Sequence, residues 1–188
     1  PDPCLWERPV GLECAAGDEG SWSRLLAEPR PALLALVDRH RFEGLALFLG
    51  FEALDTQQPL ARLATEAEVR RVPLADVAEL WTGASWHFWQ RPAAIRRTLA
   101  AGDRGEDVRA LAVLFADLDQ QAEPLTDDRY SAALEQRVRL FQRSAGLSED
   151  GVLGDRTLRA LVLAVGRDVS WSSALTRLEA APAALAGR

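Results

Sequence analysis

Gly102-Asp103-Arg104-Gly105-Glu106-Asp107-Val108-Arg109-Ala110-Leu111 and, further along, Asp150-Gly151-Val152-Leu153-Gly154-Asp155-Arg156-Thr157-Leu158 decide the fold of the second half of this chain. Each stretch places a pair of glycines in a polar turn just ahead of a run with helical spacing. Glycine permits positive φ and lets backbone approach a neighbour or ligand closely. After the first turn, Val108, Leu111, Leu114, Phe115 and Leu118 share one face of a helix expected from about Glu106 to Leu118. Glu106 and Asp107 fall in its first turn, where the helix dipole favours acids. Tyr130, Leu134, Val138 and Phe141 predict a second helix over Arg129–Ser144, with Gly146 as its stop. Leu158, Leu161, Val162 and Val165 predict a third over Asp155–Val165. Three short helices, each with one apolar face, bury one small core.

Upstream, the pattern changes to mixed α and β. Ser21 can cap a short helix, Trp22–Ala27, which Glu28-Pro29-Arg30-Pro31 ends. Ala32–Val37 and Phe42–Phe51 are apolar runs of strand length joined by Asp38-Arg39-His40-Arg41. That arrangement predicts an antiparallel hairpin buried on both faces. Val69–Val72 is a candidate third strand. Pro73 suits the first turn of a helix that carries Leu74, Val77, Ala78 and Trp81, with Thr82-Gly83 ending it. Ser85–Gln90 reads as a final aromatic strand, and Arg91-Pro92 closes the segment. Ser170 can cap a further helix over Trp171–Leu178, followed by an Ala-rich tail. The fold class is therefore α+β, with expected domains at 1–92 and 93–166 and a C-terminal helix and tail at 167–188.

The net charge of −6 argues against a nucleic-acid partner, because phosphate recognition needs a basic face. No apolar run approaches the roughly 20 residues of a membrane span, so no membrane contact is expected of this chain. It begins at Pro1 and contains no methionine, which suggests a piece of a longer protein with any targeting segment upstream. Cys4 and Cys14 could remain free thiols or close a short loop. An oxidising compartment favours the disulfide, which by the chain-entropy model stabilises by roughly 2–3 kcal/mol. His40 and His87 do not fall at ligand spacing from the cysteines, so neither a metal nor a cofactor is expected.

The order of motifs from Leu99 to Leu161 resembles the type 1 family of helical peptidoglycan-binding domains. The carrying residues are Gly102-Asp103-Arg104-Gly105, Val138 with Phe141-Gln142-Arg143, and Asp150-Gly151-Val152 with Gly154. The resemblance implies a three-helix fold that holds peptidoglycan noncovalently near its turns and the end of the second helix. On matching positions it implies Asp103, Arg104, Gln142, Arg143, Asp150 and Gly151 as binding residues. The sequence departs from the common pattern at Ala112, where Gln is frequent, at Asp155, where Pro is frequent, and in a long Asp119–Asp128 loop.

Cys14, Gly20–Leu26, the two apolar runs, Leu80-Trp81-Thr82-Gly83 and Trp89–Pro92 together resemble the papain-like peptidase C39-like domain. A cysteine peptidase needs a thiolate and a histidine to relay the proton. Cys14, ahead of a helix, would be the nucleophile, yet the strand that should open with histidine reads Phe42-Glu43-Gly44-Leu45. The expectation is a peptidase-like fold with no catalytic residues; the rival is a wall-targeted cysteine peptidase or amidase. Trp22, Trp81, Trp86 and Trp89 could stack on sugars but are expected to pack a core.

The pairing of these two domains is similar to the periplasmic region of the general secretion pathway A family of type II secretion. That resemblance implies a periplasmic location, a parent anchored in the inner membrane with a cytoplasmic AAA+ ATPase, and homo-oligomerisation. It also implies cooperation with the B component in inserting the secretin through the wall.

Overall fold

A computed structural model describes residues 2–7, 11–17, 20–27, 30–53, 55, 57–64 and 68–166. The expected Trp171–Leu178 helix and the 167–188 tail lie outside the described residues. The strands are β1 (Leu12–Ala16), β2 (Ala32–Val37), β3 (Glu43–Glu52), β4 (Leu60–Ala64), β5 (Val69–Pro73) and β6 (Trp81–Gln90). The helices are α1 (Trp22–Ala27), α2 (Leu74–Leu80), α3 (Glu106–Asp119), α4 (Ala132–Ser144) and α5 (Asp155–Ala164). They divide into a sheet-centred unit over residues 2–7 and 13–88 and a helical unit over 11–12 and 89–166.

The strands form one sheet in the order β1-β6-β2-β3-β4-β5. The expected hairpin is present, with Ala32 opposite Phe48 and Val37 opposite Glu43. β6 returns antiparallel along the other side of β2, with Ala32 opposite His87. β3–β4 and β4–β5 are antiparallel as well. The hairpin is not buried throughout: Glu43 and Gly44 are exposed, and burial in β3 begins in earnest at Ala46. Phe42, at the turn, is 73% exposed.

Phe48 and Phe51 would face opposite sides of a regular strand, because side chains alternate. Here their rings meet at 4.8 Å on one core. The register between β3 and β4 shifts between Phe48 and Phe51, and Gly50 sits there at φ 112°. This is a β-bulge: the extra residue turns the strand, and glycine accepts the positive φ that a side chain resists. Trp22 completes the cluster, with its ring 6.2 Å from Phe48 and 4.4 Å from Trp81. Leu25, Leu34, Leu63 and Val77 fill the space around it. Trp22 and Trp81 thus pack the core, as expected of them, and Trp89 is buried in the core of the helical unit.

Four expectations about these elements need correction. β1 and β4 form where no strand was expected. Trp81 does not belong to α2: the helix stops at Leu80, and Trp81 opens β6 with extended backbone at φ −74° and ψ 123°. Pro73 is the last residue of β5 and the cap of α2, not a residue of its first turn. Cys14 lies within β1 rather than at a helix start, and it is bonded to Cys4 of a one-turn 3-10 helix, Pro3–Leu5.

In the helical unit, α3 contributes Val108, Leu111, Leu114 and Phe115 to the core, α4 Leu134, Val138 and Phe141, and α5 Leu158, Leu161 and Val162. Ile95, Leu99 and Leu153, which lie outside the helices, close the core. α4 begins later than its apolar spacing suggests. Ser131 caps it by accepting from the Leu134 N–H, so Arg129 and Tyr130 precede the helix.

Truncating Phe48 removes a fully buried ring at the bulge. Phe48→Ala should lower the unfolding free energy by about 3–5 kcal/mol in urea denaturation, whereas Phe42→Ala should change it by less than about 0.5 kcal/mol.

Candidate functional site

The two glycine-bearing turns of the helical unit are built differently and are joined by one residue. In the second turn, Gly151 takes φ 72° and is buried. A Cβ there would stand 2.9 Å from Arg139 and Glu135 atoms, so the position needs glycine for both space and conformation. The Gln142 amide reaches this turn from the last part of α4. Its Nε2 donates to Asp150 Oδ1 at 2.7 Å, the Val152 carbonyl at 3.0 Å and Thr157 Oγ1 at 3.1 Å. Its Oε1 accepts from the Gly151 N–H at 2.9 Å. Asp150 also accepts from the Val152 N–H at 2.9 Å. That backbone donor, with Gln142 second, holds the Asp150 carboxyl below its ordinary pKa.

Tyr130 joins the turns. Its hydroxyl donates to the Gly151 carbonyl at 2.8 Å. Its N–H donates to the Asp103 carbonyl at 2.8 Å, and its carbonyl accepts from the Gly102 N–H at 3.2 Å. Burial of the ring pushes the phenol pKa up, so the hydroxyl stays a donor. Leu99 and Leu153 exchange backbone hydrogen bonds of 3.2 and 2.8 Å, a second tie to the Asp150–Gly154 turn.

In the first turn, Asp103 Oδ2 accepts from the Ala100 N–H at 2.7 Å. Arg97 bridges Asp103 and Asp107, 2.9 Å from each. The Ala100 donor first, and Arg97 second, depress the Asp103 pKa. Arg104 lies opposite Arg129 in a short antiparallel bridge and is exposed. At the end of α4, exposed Arg143 pairs with Glu149 at 2.7 Å, which lowers the Glu149 pKa and raises that of Arg143.

The six residues implied by the resemblance therefore separate by role. Gln142 and Gly151 are buried and spend their polar groups on the protein itself, so both are scaffold rather than contact surface. Arg104, Arg143 and Asp150 face solvent, and Asp103 is half-buried. Tyr130, Thr157 and Arg97 were missed as organisers of the turns. Only the position of Gln142, four residues after Val138 and one after Phe141, signals its inward direction in advance. The two departures from the common pattern have local reasons. Ala112 is buried in the α3 face. Asp155 opens α5, where the dipole favours an acid, and pairs with Arg91 at 2.6 Å.

Residues 104–161 match the family described as "Putative peptidoglycan binding domain". That match falls wholly within the helical unit. Over 72 residues the chain is 40% identical to the N-acetylmuramoyl-L-alanine amidase CwlM of Mycobacterium tuberculosis (strain ATCC 25618 / H37Rv). That match takes in 34% of this chain and only 18% of the amidase. A periplasmic domain of the EpsAB fusion protein of the Vibrio vulnificus type II secretion system is similar over far more of the chain. It has a TM-score of 0.63 and 29% identity, covering 92% of this chain and 73% of that one. The resemblance to the periplasmic region of the general secretion pathway A family thus holds well beyond the helical motifs.

Two outcomes follow for the turns. Gln142→Ala leaves the buried Gly151 N–H without its acceptor and should cost about 2–4 kcal/mol in chemical denaturation, more than Tyr130→Phe at about 1–2 kcal/mol. Asp103, with a folded pKa below its ordinary 3.8, adds stability that is present above that value and lost as pH falls through the folded one. Acid unfolding followed by circular dichroism should therefore show a shallower acid limb for Asp103→Asn than for the parent chain.

Proposed function

We propose that this chain is a non-catalytic periplasmic module that binds peptidoglycan in type II secretion. The observation that carries this reading is the match of residues 104–161 to the peptidoglycan-binding family. The likeness to the EpsAB periplasmic domain supplies the secretion context. The finer reading is that the C39-like part, residues 1–92, makes protein contacts with the B component and with further copies of the chain. The helical part, 93–166, then holds the wall while the secretin is inserted, and the parent protein is anchored in the inner membrane.

Binding falls to Arg104, Arg143 and Asp150, which face solvent, and to half-buried Asp103, around two turns that Gln142, Gly151 and Tyr130 hold in position. The peptidase rival is disfavoured by the state of Cys14. A sulfur bonded to Cys4 within a strand cannot act as a thiolate nucleophile. The amidase relative adds little weight, since only 18% of its length is matched.

Co-sedimentation with purified sacculi tests the reading. The 188-residue chain should pellet with the polymer, and Arg143→Ala should weaken retention by about threefold while leaving the thermal midpoint within about 2 °C. Recovery of the parent chain in the supernatant at all polymer concentrations would overturn wall binding.

A further inference from the structure

The bridge between Arg104 and Arg129 puts two like charges where a short ladder should avoid them. The Gly105 N–H donates to the Asp128 carbonyl at 2.9 Å, and the Tyr130 N–H donates to the Asp103 carbonyl at 2.8 Å. These bonds flank the Arg104–Arg129 pair, so it is a non-hydrogen-bonded pair of an antiparallel ladder. In such pairs opposing Cα atoms stand only about 4.5 Å apart, and both side chains leave the same face. Tyr130, next along, points inward and is buried, whereas both arginines are exposed. Like charges placed directly opposite destabilise a ladder.

Among the described residues, none of the neighbouring acids forms an ion pair with Arg104 or Arg129. Asp103 and Asp107 are taken by Arg97, and Glu106 faces Arg109 at 3.9 Å. Asp127 and Asp128, on the same loop, make no ion pair with either arginine. The ladder itself is fixed at both ends: Thr126 Oγ1 donates to the Arg129 carbonyl at 2.9 Å, and Tyr130 is pinned to Gly151. Two arginine side chains thus leave neighbouring points on one face of a fixed backbone ladder, each ending in a planar fork of N–H donors suited to an oxyanion.

We propose that Arg104 and Arg129 together form a fork for a carboxylate, and that the carboxylate is one borne by the peptide stems of peptidoglycan. The proposal rests on the wall-binding reading and refines it, because it names which chemical group of the polymer is gripped. Arg129 is added to the binding surface, and the recognised feature is the charged peptide rather than the neutral sugar.

The test compares intact sacculi with sacculi whose free carboxylates have been converted to amides, using the whole chain. The parent should bind the amidated polymer about tenfold more weakly, the loss expected for one charge-assisted contact set. Arg104→Gln and Arg129→Gln should each bind intact sacculi about tenfold more weakly and lose nothing further on the amidated polymer. Arg129→Lys, which keeps the charge but not the fork, should fall between. The thermal midpoint of Arg129→Gln should stay level or rise, because the substitution removes repulsion. Equal binding of the parent to both polymers overturns the fork and leaves wall binding standing. Variants that bind like the parent, or that still discriminate between the polymers, likewise overturn it. Failure of the parent on both polymers removes the wall-binding reading and the fork with it.

Discussion

One buried amide, the side chain of Gln142, fixes the turn on which the outward face of the helical unit depends. Four groups converge on it: the Gly151 N–H, the Val152 carbonyl, the Thr157 hydroxyl and the Asp150 carboxylate. Only a side chain that both donates and accepts can serve all four. A carboxylate would lose the donor and bring a second negative charge against Asp150, and an aliphatic residue would leave the Gly151 N–H unpaired in the interior. Because Gly151 takes a conformation and a space closed to side chains, the turn cannot readily relax to satisfy itself. Tyr130 then carries the order of this turn to the first one through a hydroxyl at one end and a backbone ladder at the other. The solvent-facing residues of both turns inherit their positions from these two inward-facing side chains.

The same distinction shows where sequence was sufficient and where it was not. The three helices of the second half were legible because each core face repeats at helical spacing within a short segment, so the signal is local. The sheet was legible only in part. β2 and β3 are long apolar runs, but β4 is Leu-Ala-Arg-Leu-Ala and β1 is Leu-Glu-Cys-Ala-Ala, sequences without a β-branched or aromatic residue. Their strand state comes from pairing with distant segments, which no local pattern reports. Trp81 failed for a related reason. It stands at helical distance from Val77 and Ala78, yet its ring is drawn to Trp22 across the core, which its place at the start of β6 allows. The Gly50 bulge, which brings Phe48 and Phe51 onto one face, was hidden because alternation assigns them to opposite faces.

At the candidate site, the family resemblance points to the two glycine-bearing turns but does not say which of its six residues face inward. Gln142 follows Val138 by four residues and Phe141 by one, so helical geometry alone places it beside the core. With its amide spent on the turn, Gln142 leaves the solvent-facing residues around it as the candidate contacts. Arg129 was invisible for the opposite reason: it was assigned to the start of a helix, where it would point anywhere on a solvated face. Only the cap at Ser131 and the ladder before it reveal that Arg129 stands across from Arg104.

A chain of net charge −6 gains nothing from long-range attraction to an anionic polymer, so any grip on carboxylates has to be local and preorganised. Arg97 bridges the nearby Asp103 and Asp107, so neither of these acids pairs with Arg104 or Arg129. Holding two guanidinium groups on a rigid ladder also moves part of the ordering cost from binding to folding, where the core of the helical unit can offset it. A turn kept stiff by a buried amide and a tyrosine, with charge displayed on its outer side, meets both demands within one short unit.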